Sequence, residues 1–75
     1  MSYLLRERPG DGLLTPRQLE VLRLVSNGYG GSEIGRLLGI GLQTVKFHKR
    51  TIFKQLDVPN APAAVAVALR EGLMV

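Results

Sequence analysis

Residues 34–56 read IGRLLGIGLQTVKFHKRTIFKQL, and the charge and spacing of this stretch indicate the fold of the chain. The stretch carries five basic residues and no acidic one, whereas the rest of the 75-residue chain carries five basic and six acidic residues. The net charge of +4 is therefore the sum of +5 from this stretch and −1 from the remainder. A near-neutral domain with one strongly basic element is typical of proteins that bind a polyanion, and DNA is the first candidate.

From Leu42 onward the stretch has the periodicity of a helix with two different faces. At roughly 100° per residue, four basic side chains and Gln43 fall within an arc of about 140°. Three apolar side chains fall within about 40° of one another on the other side. The basic residues are Lys46, Lys49, Arg50 and Lys54, and the apolar ones are Val45, Ile52 and Leu56. A cationic face can serve solubility alone, so its interpretation depends on the residues around it.

A strong helix start lies upstream of this stretch, at Thr15-Pro16-Arg17-Gln18. Thr15 suits the capping position and Pro16 the first helical position, and Gln18 follows Thr15 by three residues, as in a capping box. Apolar residues then recur at spacings of three and four until Asn27-Gly28, which favours a helix end. The sequence predicts a first helix over about residues 16–27.

The second predicted helix, about residues 31–38, is short. Its cap is Gly30 or Ser32, and Gly39 is placed to end it with a positive φ. Gly39-Ile40-Gly41 then joins it to the third helix, about residues 42–57, so the two form a helix-turn-helix. The apolar face predicted for the second helix consists of Ile34, Leu37 and Leu38.

A fourth helix is predicted over about residues 62–71, closed by Gly72. It is apolar all round, although a helix at the edge of a small domain needs only one apolar face. Alanine can simply be a good helix former on a surface, but a free apolar face favours a two-fold homodimer. The predicted dimer interface consists of Ala63, Ala66, Val67 and Arg70. The fold class we predict is all-α, with four helices.

The composition argues against several other classes of protein. The chain has no cysteine and one histidine, His48, and it has no glycine-rich phosphate loop, so we expect no metal, no cofactor and no small-molecule ligand. No nucleophile is paired with a base by spacing, so we expect no enzyme activity and interpret His48 as structural. No membrane-spanning run or signal-peptide pattern is present, which favours a cytoplasmic protein over a membrane-bound one.

Taken in order along the chain, these motifs resemble the LuxR-type, or GerE-like, helix-turn-helix domain of bacterial transcription regulators. The resemblance covers about residues 13–75 without gaps and leaves residues 1–12 as a flexible lead-in or linker. The matching residues are Leu14-Thr15-Pro16-Arg17, Glu20-Val21-Leu22, Gly28, Glu33-Ile34, Leu38-Gly39-Ile40, Thr44-Val45-Lys46, His48, Ile52, Leu56, Val58, Ala64-Val65 and Gly72-Leu73.

The resemblance implies that the third helix lies in the major groove with its N-terminal half toward the base edges. Lys46, Phe47 and Arg50 match positions that such domains turn toward bases and adjacent phosphates, and Thr44 and Lys49 match backbone contacts. Arg50 can take guanine O6 and N7 together, and Lys46 can reach guanine or phosphate. The candidate DNA-binding residues are Gln43, Thr44, Lys46, Phe47, Lys49, Arg50 and Lys54.

Two aromatic residues and two departures from the family pattern carry further expectations. Phe47 can press on a thymine methyl group or pack against a neighbouring helix, and the sequence leaves both open; Phe53 is expected to be partly buried. Gly35 stands where alanine is common and costs about 1 kcal/mol of helix propensity, so Gly35→Ala is expected to raise the melting temperature if there is room for a methyl group. Gln55 stands where a basic residue is usual, which predicts one fewer phosphate contact per subunit.

The sequence thus predicts a sequence-specific regulator of transcription that binds double-stranded DNA as a homodimer, with RNA polymerase as a further candidate partner. The alternative is a helix-turn-helix-derived module that contacts a regulator or RNA polymerase through its fourth helix. The chain can be a free-standing regulator or the output domain of a longer one, and the sequence leaves both open.

Overall fold

The computed structural model describes residues 14–74, which form four α-helices and no strand. The helices are α1 (Pro16–Ser26), α2 (Gly31–Leu38), α3 (Leu42–Leu56) and α4 (Ala61–Arg70). The predicted all-α architecture is confirmed, and each predicted helix boundary lies within one residue of the observed one. The lead-in predicted at residues 1–12 lies outside the described residues.

Side chains cap the first and last helices, whereas glycines begin the two between them. The N–H of Gln18 donates to the hydroxyl of Thr15 (3.1 Å), and the N–H of Thr15 donates to Oε1 of Gln18 (2.8 Å), so the predicted capping box is present. The side chain of Asn60 likewise accepts from the first turn of α4. The N-caps of α2 and α3 are Gly30 and Gly41, without a side-chain hydrogen bond. The helix-turn-helix therefore depends on packing more than on its caps.

Each of the four helices ends in a left-handed turn. A residue with positive φ follows the last helical turn, and the N–H of the next residue donates to a carbonyl five residues back, as in a Schellman motif. Gly39 ends α2 with φ of 71°, as predicted from the sequence. Asp57 ends α3 with φ of 57°, the one non-glycine residue among residues 14–74 in this conformation.

The core is assembled around α3, which contacts each of the other three helices. The predicted apolar seam of α3 is confirmed, because Val45, Ile52 and Leu56 are all at most 1% exposed. Phe53 packs half-buried against the core, as expected. The other buried apolar residues are Val21, Leu22, Ile34, Ala64, Val67, Ala68 and Met74.

Two apolar residues do not lie where the sequence pattern placed them. Leu37 was predicted on the apolar face of α2 but is 59% exposed, because this two-turn helix buries only the stripe centred on Ile34. Val67 was predicted on the free face of α4 but is 7% exposed and packs in the core. Ala64, Val67 and Ala68 form the inward stripe of α4, at spacings of three and four.

Gly35 lies directly against the turn of the helix-turn-helix. A Cβ atom at this position would lie 2.6 Å from the carbonyl oxygen of Ile40, a backbone atom that cannot rotate away. The N–H of Ile40 also donates to the carbonyl of Gly35 (2.9 Å), which holds the turn in place. The expected gain in stability from Gly35→Ala is therefore overturned, because the close approach of the turn leaves no room for a methyl group.

We predict that Gly35→Ala lowers the free energy of unfolding by about 1–3 kcal/mol, the usual cost of overpacking, despite the gain in helix propensity. Gly31→Ala, in the same helix, is the matched control, because its Cβ atom would meet only the end of the Leu42 side chain. Leu42 is 39% exposed and can rotate away. Urea denaturation of both variants measures the difference, and a Gly35→Ala variant as stable as the parent would contradict the packing described here.

Candidate nucleic-acid interface

The candidate site is the outward face of α3. Lys49 is half-buried at the edge of this face. The helix contains no acidic residue, and within residues 14–74 no carboxylate is paired with one of its basic side chains. The positive charges of α3 are therefore available to a polyanion. The six exposed members of the predicted set are Gln43, Thr44, Lys46, Phe47, Arg50 and Lys54.

Four of these residues form one stripe along the helix, which we call the α3 stripe: Gln43, Phe47, Arg50 and Lys54. Their spacing of four, three and four residues places them within an arc of about 60°. Phe47, Arg50 and Lys54 also line one shallow concavity, together with Thr51 and Gln55. The structure thus brings residues from more than two turns of α3 to a single surface.

Phe47 projects from the middle of this surface. It is 56% exposed and is not among the partly buried residues packed against the core cluster. The described aromatic contact of its ring is with His48, the next residue, at 6.0 Å between ring centroids and a tilt of 59°. His48 itself is half-buried. The ring of Phe47 is therefore directed toward solvent rather than toward the core.

Gln55 has a role that sequence reasoning missed. Its Oε1 accepts a hydrogen bond from Nε2 of Gln18, whose own Oε1 accepts from the N–H of Thr15 in the capping box. Gln18 is 6% exposed, the one buried polar residue among those described. The N-terminus of α1 is therefore tied to the last turns of α3 through a single buried amide. No local pattern predicts this pair, because its members lie 37 residues apart in the chain.

We predict that Gln55→Ala lowers the free energy of unfolding by about 1–3 kcal/mol, because Nε2 of the buried Gln18 loses its acceptor. Gln43→Ala is the matched control, since it removes an exposed glutamine from the same helix and should change stability by less than about 0.5 kcal/mol. Urea denaturation of the two variants gives the comparison. Equal losses in both variants would mean that the bond to Gln18 contributes nothing.

The free face of α4 is not centred where it was predicted. Ala66 and Arg70 are exposed, as a free face requires, whereas Ala63 is half-buried and Val67 belongs to the core. Leu69 takes its place, with 50% of its surface exposed. Leu69 follows Ala66 by three residues, so the two share one side of the helix.

Within residues 14–74, no group of three or more His, Cys, Asp or Glu side chains is placed to hold a metal ion. None of the helices in the same range is both long and apolar enough to cross a membrane.

Comparison with known proteins identifies the family to which this sequence is similar. Residues 12–68 match the family model described as bacterial regulatory proteins, luxR family. The transcriptional activator protein CarR of Pectobacterium carotovorum subsp. carotovorum is 46% identical over 63 residues, which are 84% of this chain and 26% of CarR. The oxygen regulatory protein NreC of Staphylococcus carnosus (strain TM300) is 37% identical over 62 residues, which are 83% of this chain and 29% of NreC.

Solved structures with the same architecture include that of Escherichia coli SdiA. Its crystal structure superposes with a TM-score of 0.79 and 28% identity, covering 91% of this chain and 29% of the SdiA chain. SdiA in complex with octanoyl-rac-glycerol gives a TM-score of 0.77 and 29% identity, covering 88% of this chain and 27% of that one. The chain thus spans 26–29% of the length of these relatives.

Proposed function

Because this chain belongs to the LuxR family of bacterial regulatory proteins, whose helix-turn-helix domains bind DNA, we propose that it regulates transcription by sequence-specific binding of double-stranded DNA. In this proposal α3 is the recognition helix and lies in the major groove. The observation that carries the proposal is the α3 stripe, an exposed row of side chains suited to bases and phosphates on a helix without an acidic residue.

The side chains of α3 divide into those that position the protein and those that specify sequence. Lys46 and Lys54 are exposed cations that can meet phosphates on either side of the groove, with Thr44 and Lys49 as further backbone contacts. On the α3 stripe, the guanidinium of Arg50 suits O6 and N7 of guanine, and the amide of Gln43 suits N6 and N7 of adenine. Gln43 and Arg50 thus supply base readout, and the lysines supply most of the salt-dependent affinity.

The proposed active form is a homodimer in which α4 of one protomer meets α4 of the other. The interface would consist of Ala63, Ala66, Leu69 and Arg70, with Leu69 replacing the buried Val67 of the sequence-based prediction. Support comes from the exposure of Leu69, half of whose surface faces solvent beside the small side chain of Ala66. A two-fold axis through this contact would place two recognition helices on half-sites about one helical turn of DNA apart.

RNA polymerase is a further proposed partner, and we expect the protein in the cytoplasm, where bacterial chromosomal DNA lies.

The test of DNA readout starts from sequences selected by the protein from a random duplex pool. We predict an enriched motif with two half-sites, for which Arg50→Ala loses about 1–3 kcal/mol of binding free energy together with selectivity over a scrambled duplex. Lys54→Ala should weaken binding to both duplexes alike and reduce the slope of log K against log salt by about 1. Titrations at two salt concentrations measure both effects. An Arg50→Ala variant that keeps its selectivity would contradict base readout by this residue.

The test of the dimer uses two exposed leucines. We predict that Leu69→Lys, which places a charge in the proposed interface, binds a duplex with two half-sites no more tightly than a duplex with one. Leu37→Lys is the matched control, because Leu37 is similarly exposed but lies on α2. Mobility-shift titrations on the two duplexes give the comparison. If Leu69→Lys still prefers the duplex with two half-sites, or if both variants lose that preference equally, α4 has no specific role in the dimer.

The second candidate function is a protein-interaction module that contacts a regulator or RNA polymerase through α4. The observation in its favour is again the exposed Leu69, because an apolar surface can serve a different chain as well as a second copy. A double charge reversal, Lys46→Glu with Arg50→Glu, separates the two functions. If the protein regulates transcription by binding DNA, the double variant loses duplex binding while its binding to RNA polymerase is unchanged. If it is only an interaction module, the parent and the double variant both bind duplex DNA weakly and without selectivity.

A further inference from the structure

We propose that Phe47 reads the 5-methyl group of a pyrimidine, which makes thymine, or 5-methylcytosine in its place, a required base at one position of each half-site. The inference rests on the proposed function, since it needs α3 in the major groove. It goes beyond that function by assigning a chemical group on the DNA to one side chain of this chain.

The first observation is the exposure of Phe47. More than half of its surface is open to solvent, while the apolar seam of α3 on the opposite side is buried to within 1%. The core is therefore complete without this ring. An exposed phenyl group leaves apolar surface in water, and this surface is removed only when an apolar group of a partner covers it.

The second observation is the position of Phe47 within the α3 stripe. With a rise of about 1.5 Å per residue, Gln43 lies about 6 Å before Phe47 along the helix axis, and Arg50 lies about 4.5 Å beyond it. Stacked bases are separated by about 3.4 Å, so Phe47 would face a base pair within about two steps of the one met by Arg50. The ring thus stands between two side chains suited to base edges.

The chemistry of the major groove then selects the group that Phe47 can contact. Guanine, cytosine and adenine present hydrogen-bonding groups and ring C–H groups there, and thymine alone adds an apolar methyl group, at its carbon 5. A phenyl ring cannot hydrogen-bond to an amino or carbonyl group, and covering such a group would strip it of water without replacing the lost bonds. Methylation of cytosine at carbon 5 places the same methyl group at the same edge, so the chemistry extends to that base.

The experiment removes the methyl group alone. In the duplex selected from the random pool, each thymine is replaced in turn by deoxyuridine, and Kd is measured for the parent protein and for Phe47→Ala. We expect one thymine per half-site, within about two base pairs of a guanine read by Arg50, whose replacement weakens binding by about 3–10-fold, as expected for one buried methyl group. Phe47→Ala should bind the thymine and deoxyuridine duplexes equally.

Two controls accompany this comparison. Leu42→Ala removes the other large exposed apolar side chain of α3 and should retain the discrimination between the two duplexes. Cytosine at the same position should bind as weakly as deoxyuridine, and 5-methylcytosine should restore the affinity. Circular dichroism melts establish that Phe47→Ala is folded, as expected for a change at an exposed residue.

The results that overturn the inference are distinct from those that overturn the proposed function. Equal affinity of the parent protein for thymine and deoxyuridine at every position, with Arg50→Ala still losing selectivity, would overturn the role of Phe47 and leave DNA readout standing. Discrimination that persists in Phe47→Ala would do the same. A random pool that yields no enriched motif would overturn the inference and the proposed function together.

Discussion

The burial of the α3 seam is the interaction on which the rest of the structure depends. Val45, Ile52 and Leu56 are each at most 1% exposed, and α3 contacts all three other helices. Because side chains radiate from a helix, burying this seam turns the opposite side of α3 outward along its length. The same packing that stabilises the small core therefore forms the basic surface. Loss of the seam would unfold the domain and would also remove the common orientation of the basic side chains.

The orientation of α3 is fixed further by contacts toward each of its ends. Before its N-terminus, the turn lies so close to Gly35 that a Cβ atom there would come within 2.6 Å of the Ile40 carbonyl oxygen. Toward its C-terminus, Gln55 is hydrogen-bonded to the buried Gln18 of α1. Like charges gathered on one face oppose the compact state rather than stabilise it. A fold that holds such a face firmly in one direction is consistent with a surface kept for binding.

Much of the fold could be predicted from local signals, and the failures share one physical origin. Thr15 with Gln18, and Gly39 with its positive φ, mark helix ends through bonds within a few residues, so the sequence contains them directly. The inward face of α4 could not be predicted, because every candidate position is apolar and the periodicity carries no contrast; Val67 was therefore placed on the free face although it is buried. Gly35 and Gln55 depend on partners set by the turn and by a distant helix, which no local pattern reports.

The candidate site was predictable where it follows from helical periodicity. The exposed basic face needed only the spacing of charges along α3, and the structure places six of the seven predicted side chains at the surface. The orientation of Phe47 was not predictable, because an aromatic residue at the border of a polar arc suits both the core and a partner. Its exposure was settled by the seam, which fills the core without it.

The most direct test of this account is a map of the surface that meets DNA, obtained by titrating ¹⁵N-labelled protein with the selected duplex and recording amide chemical shifts. The account predicts that the largest changes fall on residues 42–54, with smaller ones in α4 if two protomers come together on the DNA. Changes confined to α4, with α3 unaffected, would contradict the claim that α3 is the recognition helix.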